Sequence, residues 1–327
     1  MSFESLKRDS DKRWLDLTTG AKPWIRVSSA MCCGTSLESE EIVLEIASYF
    51  EKNKILINID TVGCHGICYA GPIIDILYKG QPRIFWGNVT KDNIVKILDS
   101  YIKKGEVLTD NLLGSLGERS IDGIKKIDDL PGINLQNRIA LRNSGNIAFN
   151  DIFQYIANGG FEGLHKAVTK MSSDEVISEV KNSGLRGRGG AAFPTGLKWS
   201  FMSNSKGVKY ILCNCEEGDP GAYNDKGILE SDPYTLLEGM AIAGYATKST
   251  NGYVFIRHGH DGPIDRTKEA INQAYDNGLL GKNIFGSDFS FDIEVSLTGD
   301  SYVAGEETAL MESVEGKSAR PRSRPPF

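Results

Sequence analysis

The stretch from Gly184 to Trp199, GLRGRGGAAFPTGLKW, restricts the fold of this chain more than any other. Gly184, Gly187, Gly189 and Gly190 crowd one short run. Glycine has no Cβ, so main-chain N–H groups here can approach another molecule closely. Arg186 and Arg188 add fixed positive charge, and Lys198 follows a turn marked by Pro194 and Gly196. Ala191, Ala192 and Phe193 offer a flat, partly apolar wall. The segment from Gly187 to Ala192 fits the dinucleotide pattern G-x-G-x-x-G/A, a match that is weak taken alone. A plain glycine-rich surface loop is the alternative.

Composition narrows the class. The chain has 327 residues, 40% of them hydrophobic and 24% charged, with a net charge of -6. That length suits about two domains of ~150 residues. An acidic balance gives no general basic surface for nucleic acid, and we expect no nucleic-acid partner. No run reaches the ~18 apolar residues of a membrane span. The N-terminal MSFESLKRDSDKRWLD is charged and lacks the apolar core of a secretory signal. We therefore expect a cytoplasmic chain, or one peripheral to the cytoplasmic membrane face, with reduced thiols. Its six cysteines then read as ligands or buried residues.

Residues 1–22 are polar and are expected to form a flexible N-terminus. Residues 23–105 read as a small α/β domain. Its elements are a strand at WIRVSSA, a helix from Leu37 to Phe50 capped by Ser36, and a strand at KILINID. A hairpin turning at Lys79-Gly80 and a helix from Asn88 to Lys103 complete it. Residues 106–149 show little periodicity and read as a linker. Residues 150–327 alternate helices with strands: a buried strand at YILCN, an apolar helix from Tyr234 to Tyr245, and a strand from Gly252 to Ile256. An amphipathic helix from Ile264 to Asn277, a strand at FSFDIEVSL and a helix opening at Gly305 follow. Asp174, preceded by Ser172-Ser173, is the expected cap of a helix running to Lys181. This alternation argues for a second α/β domain.

Small glycines beside cations and an aromatic suit an anionic ligand with a planar ring, such as a nucleotide or a flavin phosphate. Cys213-Asn-Cys-Glu-Glu-Gly-Asp-Pro-Gly221 lies at the carboxyl end of a strand, where open α/β sheets bind ligands. Asn214 can donate and accept to a ring edge, and Glu216 and Glu217 can accept from ribose or ribityl hydroxyls. An acidic turn is the alternative. Cys213 reads as core, and Cys213 and Cys215 have no metal-like spacing. Gly305, Glu306, Glu307 and Thr308 open a helix whose N–H groups suit negative charge. Cys32, Cys33, Cys64 and Cys68 form a separate set of thiols that can converge as iron–sulfur ligands, or else remain free. His65, His165, His258 and His260 have no metal spacing, and no Ser-His-Asp set is present.

Three segments, GLRGRGGAAFPTGLKW, CNCEEGDPGA and YVAGEETALMESVEGKSARPRSRPPF, resemble the NADH-oxidising flavoprotein subunit of respiratory complex I and its relatives in NAD-linked hydrogenases and formate dehydrogenases. The resemblance covers about residues 150 to 327. Residues 24 to 105 resemble the thioredoxin-like ferredoxin domain that precedes this subunit in hydrogenase-type members. The implied fold is α/β: a thioredoxin-like domain followed by a Rossmann-like FMN/NADH-binding domain.

The implied chemistry is hydride transfer from NAD(H) to FMN and then single-electron transfer to iron–sulfur clusters, with no catalytic acid or base. By resemblance, Gly187, Arg188, Gly189, Gly190 and Lys198 hold FMN. Asn214, Glu216 and Glu217 reach its ring and ribityl chain, and Gly305, Glu306 and Glu307 close the other side. Phe193, Phe201 and Phe327 fall where the family stacks adenine, Arg324 where it has a cation near the nucleotide, and Asp219 at an acid beside the nicotinamide. Cys32, Cys33, Cys64 and Cys68 would hold a 2Fe-2S cluster. A 4Fe-4S cluster is expected only from sequence beyond residue 327, since Arg320-Pro-Arg-Ser-Arg-Pro-Pro-Phe327 reads as the start of a further segment. Implied partners are the other subunits of a multi-subunit oxidoreductase, including a small 2Fe-2S ferredoxin-like subunit. The chain departs from the family at Glu216 (Asp there), Cys215 (Gly or Ala), Ala304 (Cys) and Leu37 (the second ferredoxin cysteine). A non-catalytic electron-relay or assembly module is the reading from another class.

Overall fold

The structure, a computed structural model, describes residues 2–30, 36–118, 121–299 and 301–324. The chain forms two compact units. One holds Arg8–Gln154 with Glu230–Asp232; the other holds Tyr155–Leu229, the residues from Pro233 onward, and the first residues up to Lys7.

The chain opens with helix α1 (Phe3–Thr18), where the polar sequence suggests a loose N-terminus. Its apolar positions are spaced to pack: the Trp14 ring meets Trp24 edge-on at 5.5 Å, and the Arg13 guanidinium lies 3.6 Å over Phe153. Strand β1 (Trp24–Ser28), helix α2 (Ser36–Asn53) and strand β2 (Asn58–Val62) make a parallel crossover. Strands β3 (Ile74–Leu77) and β4 (Arg83–Trp86) follow as an antiparallel hairpin. It turns at Lys79 and Gly80, both with positive φ, as the favoured two-residue hairpin turn requires. Helix α3 (Lys91–Leu98) is fixed at its start by a Thr90–Asn93 capping box and continues as a π-helix through Lys104. The cap expected at Ser36 rests on side-chain detail outside the described residues.

Sheet order is β2-β1-β3-β4-β5, and β5 (Leu112–Leu116) comes from the segment expected to be a linker. The β-α-β-β-β-α order with a mixed 2-1-3-4 core is the thioredoxin-like arrangement. The linker reading failed because residues 106–149 pack by short irregular contacts rather than by a repeating pattern. Ile25, Val27, Ile74, Ile76, Ile84 and Trp86 fill one sheet face with Ile42, Ile46 and Phe50 of α2 and Ile94, Ile97 and Leu98 of α3. The opposite face holds a buried charge network. Arg26 donates to Asp75 at 2.6 and 2.9 Å, and Arg83 donates to the same carboxylate at 2.9 and 3.0 Å. Asn146 supplies further acceptors, its carbonyl to Arg26 at 3.3 Å and its Oδ1 to Arg83 at 2.9 Å.

Helix α4 (Ile152–Ala157) runs across the boundary between the units, and Gly159-Gly160 separates it from α5 (Glu162–Lys170) in the other unit. Helix α6 (Ser173–Asn182) is capped by Ser172, not by Asp174: the Ser172 hydroxyl accepts from Glu175 N, and the Glu175 carboxylate accepts from Ser172 N at 2.7 Å. Helix α7 (Thr195–Asn204) leads to strand β6 (Tyr210–Cys215), then α8 (Asp225–Ser231), α9 (Pro233–Thr247), strand β7 (Asn251–Arg257), α10 (Asp261–Asp276), strand β8 (Asp292–Thr298) and α11 (Glu307–Val314). The three strands are parallel in the order β6-β7-β8. This is the sequential, helix-connected sheet of a Rossmann-like half. β6 is an edge strand with only Cys215 buried, so the expectation of a buried strand at YILCN is corrected. Its apolar letters pair with β7 on one side only, which leaves Tyr210 and Asn214 exposed.

Candidate active site

The glycine run folds as a small hairpin-like loop leading into α7. Gly187 N donates to Phe193 O at 2.8 Å, Thr195 N to Leu185 O at 2.9 Å, and the Arg186 guanidinium to Ala192 O at 3.1 Å. Arg186 therefore braces the loop, while Arg188, Gly189, Gly190 and Lys198 are exposed at its tip or in the first turn of the helix. Gly190 has φ +103°, and a Cβ on Gly189 or Gly190 would meet no atom within 4 Å. The tip is open main chain with two cations beside it and a helix N-terminus behind it, a donor set that fits a phosphate. Phe193 and Phe201 lie together, ring centroids 6.4 Å apart, and both are exposed.

The carboxyl end of β6 forms a second group. Asn214 Nδ2 donates to Gly305 O at 2.8 Å, and Asn214 Oδ1 accepts from Glu216 N at 3.1 Å. A Cβ at Gly305 would lie 3.3 Å from Glu216 Oε2, so only glycine allows this approach without displacement. Glu216 pairs with Arg257 at 2.7 Å, its side chain only 4% exposed. Arg257 ends β7 and was not singled out in the sequence. The signal was present: a cation closes the otherwise apolar run GYVFI in register with the carboxyl end of β6. Lys226 and His260 complete the charged surroundings. Burial first, then the Lys226 and Arg257 cations, push the His260 imidazole below its usual range. Burial, reinforced by Glu217 and Glu216, raises the Asp225 carboxyl to about 6.

Glu217, which the resemblance places with Asn214 and Glu216 at the flavin, lies behind the loop that follows β6. It is buried and accepts from the N–H groups of Asn224 at 2.6 Å, Asp225 at 3.2 Å and Lys226 at 3.0 Å, the entry to α8. Asp219 is exposed and accepts from Gly221 N at 3.0 Å within its own turn.

The third group caps α11. Glu306 accepts from the Thr308 hydroxyl, from Thr308 N at 2.9 Å, from Ala309 N at 3.0 Å and from Arg324, which also pairs with Glu307. The Thr308 hydroxyl is the largest of the influences that hold the Glu306 carboxyl down at about 2. The structure thus joins Asn214, Glu216 and Gly305; Glu306, Glu307 and Arg324; and Phe193 with Phe201. The glycine loop is braced by hydrogen bonds within itself and its flanks. Phe327 lies outside the described residues.

In the other unit, Cys64 Sγ and Cys68 Sγ are 3.9 Å apart, and Gly66 N donates to Cys64 Sγ at 3.1 Å. Two thiolates on one tetrahedral metal with ~2.3 Å bonds sit ~3.8 Å apart, so this pair fits shared metal ligation. Cys32 and Cys33 lie outside the described residues. Among the described residues no helix is long and apolar enough to cross a membrane.

Residues 180–327 match the family model described as the Nuo51 FMN-binding domain. The NADP-reducing hydrogenase subunit HndC of Solidesulfovibrio fructosivorans is 51% identical over 59% of this chain and 39% of that protein. An NADH-quinone oxidoreductase subunit of Escherichia coli (strain K12) is 46% identical over 53% of this chain and 40% of that protein. The chain thus spans about two fifths of the length of these relatives. A solved NAD+-reducing nickel–iron hydrogenase in the H2-reduced state aligns with 99% of this chain and 51% of its own, at 20% identity and a TM-score of 0.48.

Proposed function

We propose, from the match of residues 180–327 to the Nuo51 FMN-binding domain, that this chain is the nucleotide- and flavin-binding part of an NADH:acceptor oxidoreductase. The observation that carries the reading is the coincidence of that match with an open glycine tip flanked by Arg188 and Lys198, in the unit that also presents Asn214 at a strand end. The main chain around Gly189 and Gly190, with Arg188 and Lys198, would hold the FMN phosphate. Asn214 and Glu216 would orient the ring edge, with Glu216 held in place by Arg257. Glu306, Glu307 and Arg324 would close the opposite side, and Phe193 and Phe201 would offer flat faces to adenine. Glu217 acts from behind, fixing the loop after β6 to the start of α8. Bound FMN would supply the acceptor for the nicotinamide hydride and release its electrons singly, so no side chain need act as acid or base.

Cys64 and Cys68, with Cys32 and Cys33, would carry a 2Fe-2S cluster. The thioredoxin-like unit ahead of the flavin-binding part, and the 51% identity to a hydrogenase subunit, favour a second version of the reading: the diaphorase subunit of a hydrogenase or formate dehydrogenase. In either version the partners would be other subunits of the complex, among them a small 2Fe-2S ferredoxin-like one, with quinone or a partner subunit as the onward acceptor.

The test is anaerobic titration of the full chain with FMN, followed by NADH. Retention of flavin and bleaching of its absorbance near ~450 nm on NADH addition is the expected result. Flavin retained by neither the chain nor its Lys198→Ala variant would overturn the reading.

A further inference from the structure

Cys213 and Cys215 have no part in the function above. Side chains alternate along a strand, so both project to the same face of the sheet, while Asn214 between them projects to the other. Their Sγ atoms are 3.7 Å apart. Cys213 is half-buried and Cys215 buried, on the edge strand of the sheet. Among the described residues no group of three or more metal-ligating side chains includes them. A disulfide has its sulfurs ~2.05 Å apart, so a combined movement of under ~2 Å would join these two.

We propose that Cys213 and Cys215 are an oxidant-responsive dithiol that closes to an intrachain disulfide. The ring so formed contains the main chain of Asn214, which ties the state of the sulfurs to the residue that reaches Gly305. The oxidant is hydrogen peroxide. Cys213, the more accessible sulfur, attacks it: an S–O bond forms, the O–O bond breaks, and water leaves once protonated, giving a sulfenic acid. The Cys215 sulfur then displaces the sulfenic oxygen. An S–S bond forms, the S–O bond breaks, and the Cys215 proton leaves with the oxygen as a second water. Two thiols and one peroxide thus become one disulfide and two waters. The hydrogen bond with Cys213, and burial, push the Cys215 thiol up, which leaves Cys213, the more accessible sulfur, to react first.

Trypsin separates the three cysteine pairs of this chain. Residues 210–226 carry Cys213 and Cys215 alone, residues 27–52 carry Cys32 and Cys33, and residues 55–79 carry Cys64 and Cys68. The full chain is treated with hydrogen peroxide, its remaining thiols are alkylated, and the peptides are weighed. The expected product is peptide 210–226 lighter by two hydrogens and unalkylated, restored to two alkylatable thiols by dithiothreitol. In Cys215→Ala the same treatment should instead leave a sulfenic acid on Cys213 that a dimedone-type reagent captures. Stable oxygen addition at Cys213 with Cys215 still alkylated would overturn the proposal, as would a cross-link to another peptide or an unchanged peptide 210–226. These masses do not depend on flavin. A further expectation, release of FMN from the oxidised chain and rebinding after reduction, rests on the function proposed above and fails separately from the disulfide.

Discussion

β1 and β6 are both short strands rich in apolar letters, WIRVS and YILCNC, yet they have opposite fates. β1 lies between β2 and β3 with all five residues buried, including Arg26. β6 pairs with β7 alone and leaves Asn214 exposed. In β1 the polar demand is met inside the protein, because Asp75 receives two guanidiniums and Asn146 supplies further acceptors. At the end of β6 Glu216 is buried against Arg257, while Asn214 beside it stays exposed to solvent. A central strand that buries charge must satisfy it locally, since an unpaired buried charge is costly. An edge strand can present its polar groups to something else. The contrast separates a strand whose polar groups serve stability from one whose exposed Asn214 belongs to the site proposed above.

The largest expected effect breaks the β1 side. Burial alone would raise the Asp75 carboxyl, but Arg26 and Arg83 outweigh it and hold it below its ordinary value. Asp75→Asn would leave two guanidiniums facing a neutral amide. We expect a loss of ~3–5 kcal/mol in unfolding free energy, read by urea denaturation followed by tryptophan fluorescence. A loss under ~1 kcal/mol would show that Asn146 and water suffice.

Glu238, on α9, is the counterpart of Asp75 in the second unit. Its buried carboxylate accepts from Tyr155 Oη at 2.6 Å, Phe161 N at 2.8 Å and Leu164 N at 3.1 Å. It therefore serves the entry to α5, where Phe161 takes φ +59°. Glu238→Gln would turn an amide N–H₂ towards at least one of these donors, at a cost of ~1–3 kcal/mol by the same denaturation measurement. An unchanged midpoint would mean that α5 is held by packing alone.

These two carboxylates mark what was legible in the sequence and what was not. Period-2 and period-3.6 patterns located every strand except β5 and most helices, though not α1, α7 or α8, and Lys79-Gly80 announced its turn. Glu216, Glu306 and the glycine loop stood out as motifs because their spacing is local. Asp75 and Glu238 did not, since an isolated acid in an apolar run gains its meaning from partners far away in sequence. The same reason hid Arg257 as the partner of Glu216, and β5 within an aperiodic stretch. Glu217 stood out in the sequence, but not for the contacts it makes. As a letter it is one of an acidic pair, and only the fold shows that it accepts three N–H groups at the start of α8.

On the β6 side the effect should fall on binding and spare stability. Asn214→Ala removes the hydrogen bond to Gly305 and the proposed contact to the flavin ring edge. We expect FMN affinity to fall about tenfold, ~1.4 kcal/mol, by isothermal titration, with unfolding free energy changed by less than ~0.5 kcal/mol, as for an exposed site. A comparable loss in both quantities would make Asn214 structural and erase the contrast with β1.

The smallest effect concerns the cap of α11, and it carries a sign that can be checked. The Glu306 carboxyl titrates near 4.5 when free and at about 2 in the fold. Its stabilisation is therefore fully present above the free value and is lost as pH falls towards the folded one. Glu306→Gln lacks this dependence at that position. The midpoint of thermal unfolding of the native chain should exceed that of Glu306→Gln at neutral pH. The gap should narrow steadily below about pH 4.5 and close near about pH 2. Salt should shrink the part of the gap due to Arg324, because that ion pair is exposed to solvent. The part due to the N–H groups of Thr308 and Ala309 should persist in salt, since those are hydrogen bonds at a helix start. A gap that ignores pH would assign the cap to the shape of the side chain rather than to its charge.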